Sequence, residues 1–241
     1  MHDKYVLPIM AADAKGVRQA LRHHEHEYGK FEVWLDYGAG LEADFVRELA
    51  ERYPERLIVV FRRQELAPMQ MPVRDRLAVL RALNGRAIWV DLDVRSQQAE
   101  FNVIRDERLE LRVIGSYHNY ASTPSQADLW QLAAEIEQFR PAVVKVATMC
   151  HNPADALRLL ELQVALRERG LRHEILGMGR HGAITRVFGA LWGNEFIFAP
   201  DSAAGASAPG QLTRTQLESI FANLPLDEAV DKDEREAGEG G

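Results

Sequence analysis

Lys145 stands in the middle of Ala142-Val143-Val144-Lys145-Val146-Ala147, a run otherwise made of apolar and β-branched residues. Lysine is almost never buried without a reason, and burial disfavours its charged form. A neutral amine is what imine formation with a ketone or aldehyde requires. The competing reading is a lysine whose amine reaches out to solvent along its own stem. His118, in Ser116-Tyr117-His118-Asn119 at the end of the preceding strand, tips the balance. An imidazole there can shuttle protons for the amine, so the pair reads as a Schiff-base lysine with a histidine acid–base partner. Further charges fall on neighbouring strands. In Glu32-Val33-Trp34-Leu35-Asp36 the period of two puts Glu32, Trp34 and Asp36 on one face, and Arg62, Asp91 and Asp93 follow on the next two strands. Carboxylates projecting into a closed interior are costly unless partnered, which points to a charge-paired interior. For Asp36, Asp91 and Asp93 a purely structural ion network explains the pattern equally well.

Other motifs weigh less. Gly177-Met178-Gly179-Arg180-His181-Gly182 fits G-x-G-x-x-G between a strand and a helix. It comes late in the chain, and no strand ending in Asp or Glu follows at about 20 residues, as the dinucleotide fingerprint would need. The expectation is instead that these glycines let a loop approach an anionic substrate group, aided by a helix N-terminus and Arg186. His23, His24 and His26 lie among Glu25 and Glu27 on a polar helix and read as a solvated face rather than a metal site. His151, His173 and His181 have no matching ligand set, and Cys150 reads as a buried, inert thiol. No cofactor or metal is expected.

The elements that must carry these residues alternate along the chain. Strands are expected at Tyr5–Ile9, Phe31–Asp36, Leu57–Arg62, Ala87–Val94, Arg112–Tyr117, Ala142–Thr148, Glu174–Met178 and Glu195–Ala199. Near-continuous apolar runs of this kind suit parallel strands covered on both faces. Helices lie between them. Thr123-Pro124-Ser125-Gln126 offers an N-cap, a proline at the first position and a capping-box glutamine, ahead of Leu129, Leu132, Ile136 and Phe139 on one face. Asn152-Pro153 opens the next helix, with Leu157, Leu160 and Val164 as its face and Gly170 as its stop. Leu77, Leu80 and Leu83 mark another face, ended near Gly85. Eight strand–helix units in one α/β chain of this size predict a (β/α)8 barrel of residues 1–224, with a doubly wound open sheet as the rival. In a barrel, reactive groups sit at the C-terminal ends of the strands.

Composition sets the outer bounds. The 241 residues are 46% hydrophobic and 27% charged, with net charge −7 and a single cysteine. The acidic balance argues against nucleic-acid binding, and the lone cysteine fits a reducing compartment. No apolar run approaches the roughly 18 residues of a membrane helix, and Met1-His2-Asp3-Lys4 opens no signal peptide. A soluble, cytoplasmic protein follows. From 225 to 241 seven acids face two bases and almost nothing can be buried, so this tail is expected to be disordered.

Several motifs, in order, resemble those of type I 3-dehydroquinate dehydratases. They are Ser116-Tyr117-His118-Asn119-Tyr120 with Thr123-Pro124-Ser125; Val144-Lys145-Val146-Ala147-Thr148-Met149; Gly177-Met178-Gly179, Gly182, Thr185-Arg186 and Gly189; and Ser207-Ala208-Pro209-Gly210-Gln211. The resemblance implies a (β/α)8 barrel, commonly a homodimer, without metal or cofactor. Its substrate would be a small carboxylate-bearing keto acid, 3-dehydroquinate, dehydrated to 3-dehydroshikimate in the shikimate pathway. It further implies that Lys145 forms the imine and His118 is the general acid–base. Arg186 would bind the substrate carboxylate, Ser207 and Gln211 would contact substrate from a closing loop, Glu32 and Arg62 would grip ring hydroxyls, and Met178 and Phe198 would form apolar walls.

Three positions depart from the family pattern. Trp34 stands where an arginine is usual, and Asn119 where an aspartate usually follows the histidine. Position 66, where a glutamate would hydrogen-bond the histidine, is Leu66, with Glu65 one residue early. Either Glu65 reaches back through a shifted loop, or the histidine has lost its partner and activity is weak, or the substrate is a relative of dehydroquinate. Two further readings follow from these departures: an imine-forming lyase or aldolase on a related cyclic keto acid, and a non-catalytic barrel acting as a binding subunit.

Overall fold

A computed structural model describes residues 2–224, so the acidic stretch 225–241 lies outside the described residues. Eight parallel strands form the sheet: β1 Tyr5–Ile9, β2 Lys30–Trp34, β3 Leu57–Val60, β4 Trp89–Asp93, β5 Arg112–Asn119, β6 Val143–Met149, β7 His173–Met178 and β8 Ile197–Phe198. Each is followed by a helix: α1 Ala14–His23, α2 Ala43–Arg52, α3 Val73–Ala82, α4 Gln98–Asp106, α5 Gln126–Glu137, α6 Pro153–Glu168, α7 Gly179–Trp192 and α8 Arg214–Ala222. The ladders run β7-β6-β5-β4-β3-β2-β1-β8, sequential neighbours throughout apart from the β1–β8 closure. This is the (β/α)8 barrel that the alternation predicts. Two apolar cores result. One, built on Val33, Val59, Val90, Val146 and Ile175, lies between sheet and helices. The other fills the barrel floor with Val6, Ile58, Trp89, Ile114, Val143 and Phe196.

The β7–β8 seam closes by other means than a ladder. Glu195 N–H donates to the His173 carbonyl at 2.9 Å. Beyond that, side chains substitute for backbone: Asn194 accepts from Ile175 N–H at 3.0 Å, and Glu174 Oε2 accepts from Phe196 N–H at 2.8 Å. Glu174 is fully buried, and burial pushes its carboxyl up to about 8, against the pull of the Phe196 N–H, Lys145 and Arg186. The raised value makes the proton part of the fold. Stability from this group is fully present below the ordinary glutamate range and is lost as pH rises through about 8. Thermal melts between pH 5 and 9 should therefore fall more steeply for the natural chain than for Glu174→Gln.

Three local expectations are corrected. β2 ends at Trp34, and Leu35–Tyr37 is a 3-10 turn, so Asp36 does not share the inner face with Glu32. Its buried carboxylate instead accepts from Gln70 N–H and Met71 N–H and pairs with Arg63 at 3.1 Å, pinning the loop after β3. The N-cap of α5 is Ser125, which accepts from Asp128 N–H, and not Thr123. Thr123 is buried against Thr148 and the Met149 carbonyl. On α6 the Asn152 cap and its capping box with Asp155 form as expected, and Leu160 is buried as expected, but the rest of the buried face is Ala156, Leu159, Leu162 and Leu166, while Leu157 and Val164 are exposed. That run is apolar nearly all round, so periodicity did not choose the face.

Candidate active site

All nine residues to which the sequence assigns a role line one pocket at the C-terminal ends of the strands: Glu32, Arg62, His118, Lys145, Met178, Arg186, Phe198, Ser207 and Gln211. They come from β2, the end of β3, β5, β6, β7, α7, β8 and the loop after it. Trp34, Tyr120, Ala147, Leu176 and Ala208 complete the wall.

Lys145 pairs across the sheet with Ser116 on one side and Glu174 on the other, which turns its side chain inward. Its surroundings differ from the greasy cage its chain neighbours suggest. Val144 and Val146 pack outward among the helices, and Nζ donates to Asp91 Oδ2 at 2.7 Å, 3.7 Å from Glu32 Oε1. The Phe198 ring lies 4.2 Å from Nζ. The resting lysine is thus ion-paired. Asp91 also receives both Arg62 Nη groups, at 2.7 and 3.2 Å, and the Ser116 hydroxyl at 2.6 Å. Burial would raise the Asp91 carboxyl; Arg62, then Lys145 and His118, outweigh it and hold it far below the usual carboxylate range. Asp91 is therefore a fixed anion around which the site's cations gather.

His118 has a partner, though not from the loop after β3. Glu65 is exposed there with φ at 55°, and Leu66 is 42% exposed. Asp93, at the end of β4, lies 3.2 Å from His118 Nδ1 and also accepts the backbone N–H of His118. The other Asp93 oxygen is held by Arg95 N–H, Ser96 N–H and the Ser96 hydroxyl. Burial, then repulsion by Arg62, pushes the imidazole down to about 4, the Asp93 contact opposing both. At neutral pH the ring is uncharged. With a carboxylate on Nδ1 the proton belongs there, which leaves Nε2 as the basic nitrogen. Asp93 was visible in the sequence only as an acid alternating with Asp91; its meeting with His118 needs the β4–β5 register Asp93↔Ser116.

Arg186 is buried, and among the described residues no carboxylate lies within ion-pair distance of it; its Nε has no hydrogen-bond partner. Burial lowers its pKa to about 10, Glu174 partly compensating. An unpaired buried guanidinium costs stability and is a ready seat for an anion. Arg186→Met should raise the Tm of the ligand-free protein by roughly 2–4 °C, while weakening binding of a carboxylate ligand on the order of 10²-fold; calorimetric titration beside a thermal melt reads both. The glycine run has a packing role. A Cβ on Gly182 would fall 2.3 Å from the Gly177 carbonyl carbon, and Thr185 Oγ1 accepts from Gly177 N–H at 2.7 Å, so α7 sits directly on β7. Gly179 N–H donates to the Pro209 carbonyl at 2.9 Å, which docks the loop after β8 over the pocket. There Gln211 accepts from Ser207 N–H at 2.8 Å and donates to the Phe198 carbonyl at 3.3 Å.

The model of the family described as type I 3-dehydroquinase matches residues 5–226. The chain belongs to the type I 3-dehydroquinase family. A 3-dehydroquinate dehydratase of Pyrococcus abyssi is 32% identical over 182 residues, 72% of this chain and 79% of that one. One of Escherichia coli is 25% identical over 235 residues, 92% of each. In fold, the crystal structure of the Geobacillus kaustophilus 3-dehydroquinate dehydratase covers 90% of this chain and 89% of its own at a TM-score of 0.77 and 23% identity. Membership of this family favours the dehydratase over the aldolase and the non-catalytic readings. Among the described residues no group of His, Cys, Asp and Glu is arranged to hold a metal ion, and no helix is long and apolar enough to cross a membrane.

Proposed function

We propose that this chain is a 3-dehydroquinate dehydratase that works through an imine on Lys145. The observation that carries the reading is the joint one: a buried amine, a neutral imidazole one strand away and an unpaired buried guanidinium face a single pocket. Arg186 takes the substrate carboxylate. Lys145 leaves Asp91, passes a proton to His118 Nε2 and attacks the C3 carbonyl; His118 returns that proton to the departing C3 oxygen, which leaves as water, and the protonated imine remains. That cation is an electron sink, so the C2 proton becomes acidic enough for His118 Nε2 to remove. The electron pair left on C2 then expels the β-hydroxyl as a second water, to which His118 returns the proton. Hydrolysis of the imine restores the amine and releases the conjugated enone. Phe198 above the amine and the docked loop Ser207–Gln211 exclude bulk water while this happens.

The test is borohydride reduction in the presence of 3-dehydroquinate, followed by mass measurement of the intact chain and of the peptide holding Lys145. A single adduct on that peptide, together with turnover, is the expected result; turnover with no adduct, or an adduct elsewhere, refutes the reading. We also read the protein as cytoplasmic and homodimeric. The exposed Leu157 and Val164 on α6, with Trp192 on α7, support self-association of that face. Sedimentation of the natural chain should give a dimer and of Leu157→Glu a monomer.

A further inference from the structure

Trp34 stands in the pocket wall beside Glu32 and Arg62, the two residues expected to grip ring hydroxyls. Its indole N–H donates to Glu32 Oε2 at 2.7 Å, which locks that carboxylate and uses up the only donor the tryptophan has. The indole is itself wedged in place, with the Arg62 guanidinium 5.1 Å above its ring and Tyr37 edge-on at 6.0 Å. Arg62 in turn has both Nη groups on Asp91. What the wall keeps for a ligand is one buried acceptor with no hydrogen bond, Glu32 Oε1, 3.7 Å from Lys145 Nζ, beside Arg62 Nε, which also makes no hydrogen bond. Next to these stands a flat apolar surface.

We propose that Trp34 determines specificity, so that the site grips one of two adjacent ring hydroxyls and leaves the other against the indole face. This rests on the function proposed above and narrows its substrate class to cyclic keto acids in which only one of two vicinal ring hydroxyls is needed. The physical basis is an asymmetry. A site that hydrogen-bonds a hydroxyl strongly rejects the analogue without it, because buried polar groups are then left unpaired, whereas an apolar wall barely distinguishes a hydroxyl from a hydrogen.

Turnover of 3-dehydroquinate is compared with that of its 4-deoxy and 5-deoxy analogues. One analogue should lose on the order of 10²-fold in kcat/KM and the other less than tenfold. Losses within tenfold of each other overturn the proposal. In Trp34→Phe, which keeps a ring but frees Glu32 Oε2 for a second hydroxyl, the ratio of the two losses should shrink at least threefold; an unchanged ratio removes Trp34 from the account. Trp34→Met serves the same comparison if the phenylalanine variant does not fold. Failure of the underlying function is distinguishable, since 3-dehydroquinate itself would then leave no reduced adduct on Lys145.

Discussion

Replacing Lys145 by methionine should abolish borohydride trapping and lower kcat on the order of 10⁴-fold or more. Methionine keeps the length and bulk of the stem and removes the one lysine amine that lines the pocket. The variant should fold, because Asp91 does not depend on Lys145 alone. Its oxygens keep two contacts from Arg62 and one from Ser116, so no bare carboxylate is left in the interior. The Phe198 ring, now 4.2 Å from the lysine nitrogen, can pack on the thioether. Single-turnover assays with a melt alongside separate loss of chemistry from loss of fold. Residual turnover within a hundredfold of the natural chain would show that the covalent route is not used.

Asp93→Asn is expected to lower kcat by roughly 10²- to 10⁴-fold while changing KM little. Asp93 does not line the pocket, so substrate binding does not depend on it. Its work is on His118, whose Nδ1 it holds at 3.2 Å. Asparagine presents one oxygen and one N–H₂ to a place where His118 N–H, Arg95 N–H, Ser96 N–H and the imidazole all donate. Either a backbone donor goes unpaired or the amide turns its N–H₂ toward the ring, moving the ring proton to Nε2 and silencing the base. The sign of the pH effect follows. The Asp93 contact raises the His118 pKa, and without it burial and Arg62 drive the value below about 4. The acid limb of kcat/KM set by His118 should move to lower pH while the plateau falls. Asp93→Glu, with its charge retained, should recover part of the rate. If kcat stays within threefold of the natural chain, His118 is oriented by something else.

The departures at Leu66 and Glu65 show why a motif comparison could mislead here. Counting along the loop after β3 suggests that the histidine has lost its carboxylate. In space the carboxylate comes from β4, 25 residues before His118, through the parallel register of two strands. Asp36 is the converse case. Its spacing from Glu32 and Trp34 matches a strand, but the chain turns at Leu35, and its carboxylate is used to hold the loop after β3 by two backbone N–H groups.

The barrel itself was legible from the chain because its signals are local. Short β-branched runs, helix caps such as Asn152 and stop glycines such as Gly170 act within a few residues of themselves. That Lys145 and His118 share one pocket was legible too, since a lysine set among valines and a histidine at a strand end are unusual wherever they occur. The state in which that pair is held was decided only by tertiary structure. Val144 and Val146 are neighbours of Lys145 along the chain yet face away from it, and its true surroundings are Asp91, Glu32 and Phe198, brought from three other strands. Alternation along a strand reports which way a side chain points; what it meets there is fixed by the closure of the barrel, which sets groups distant in sequence a few ångströms apart.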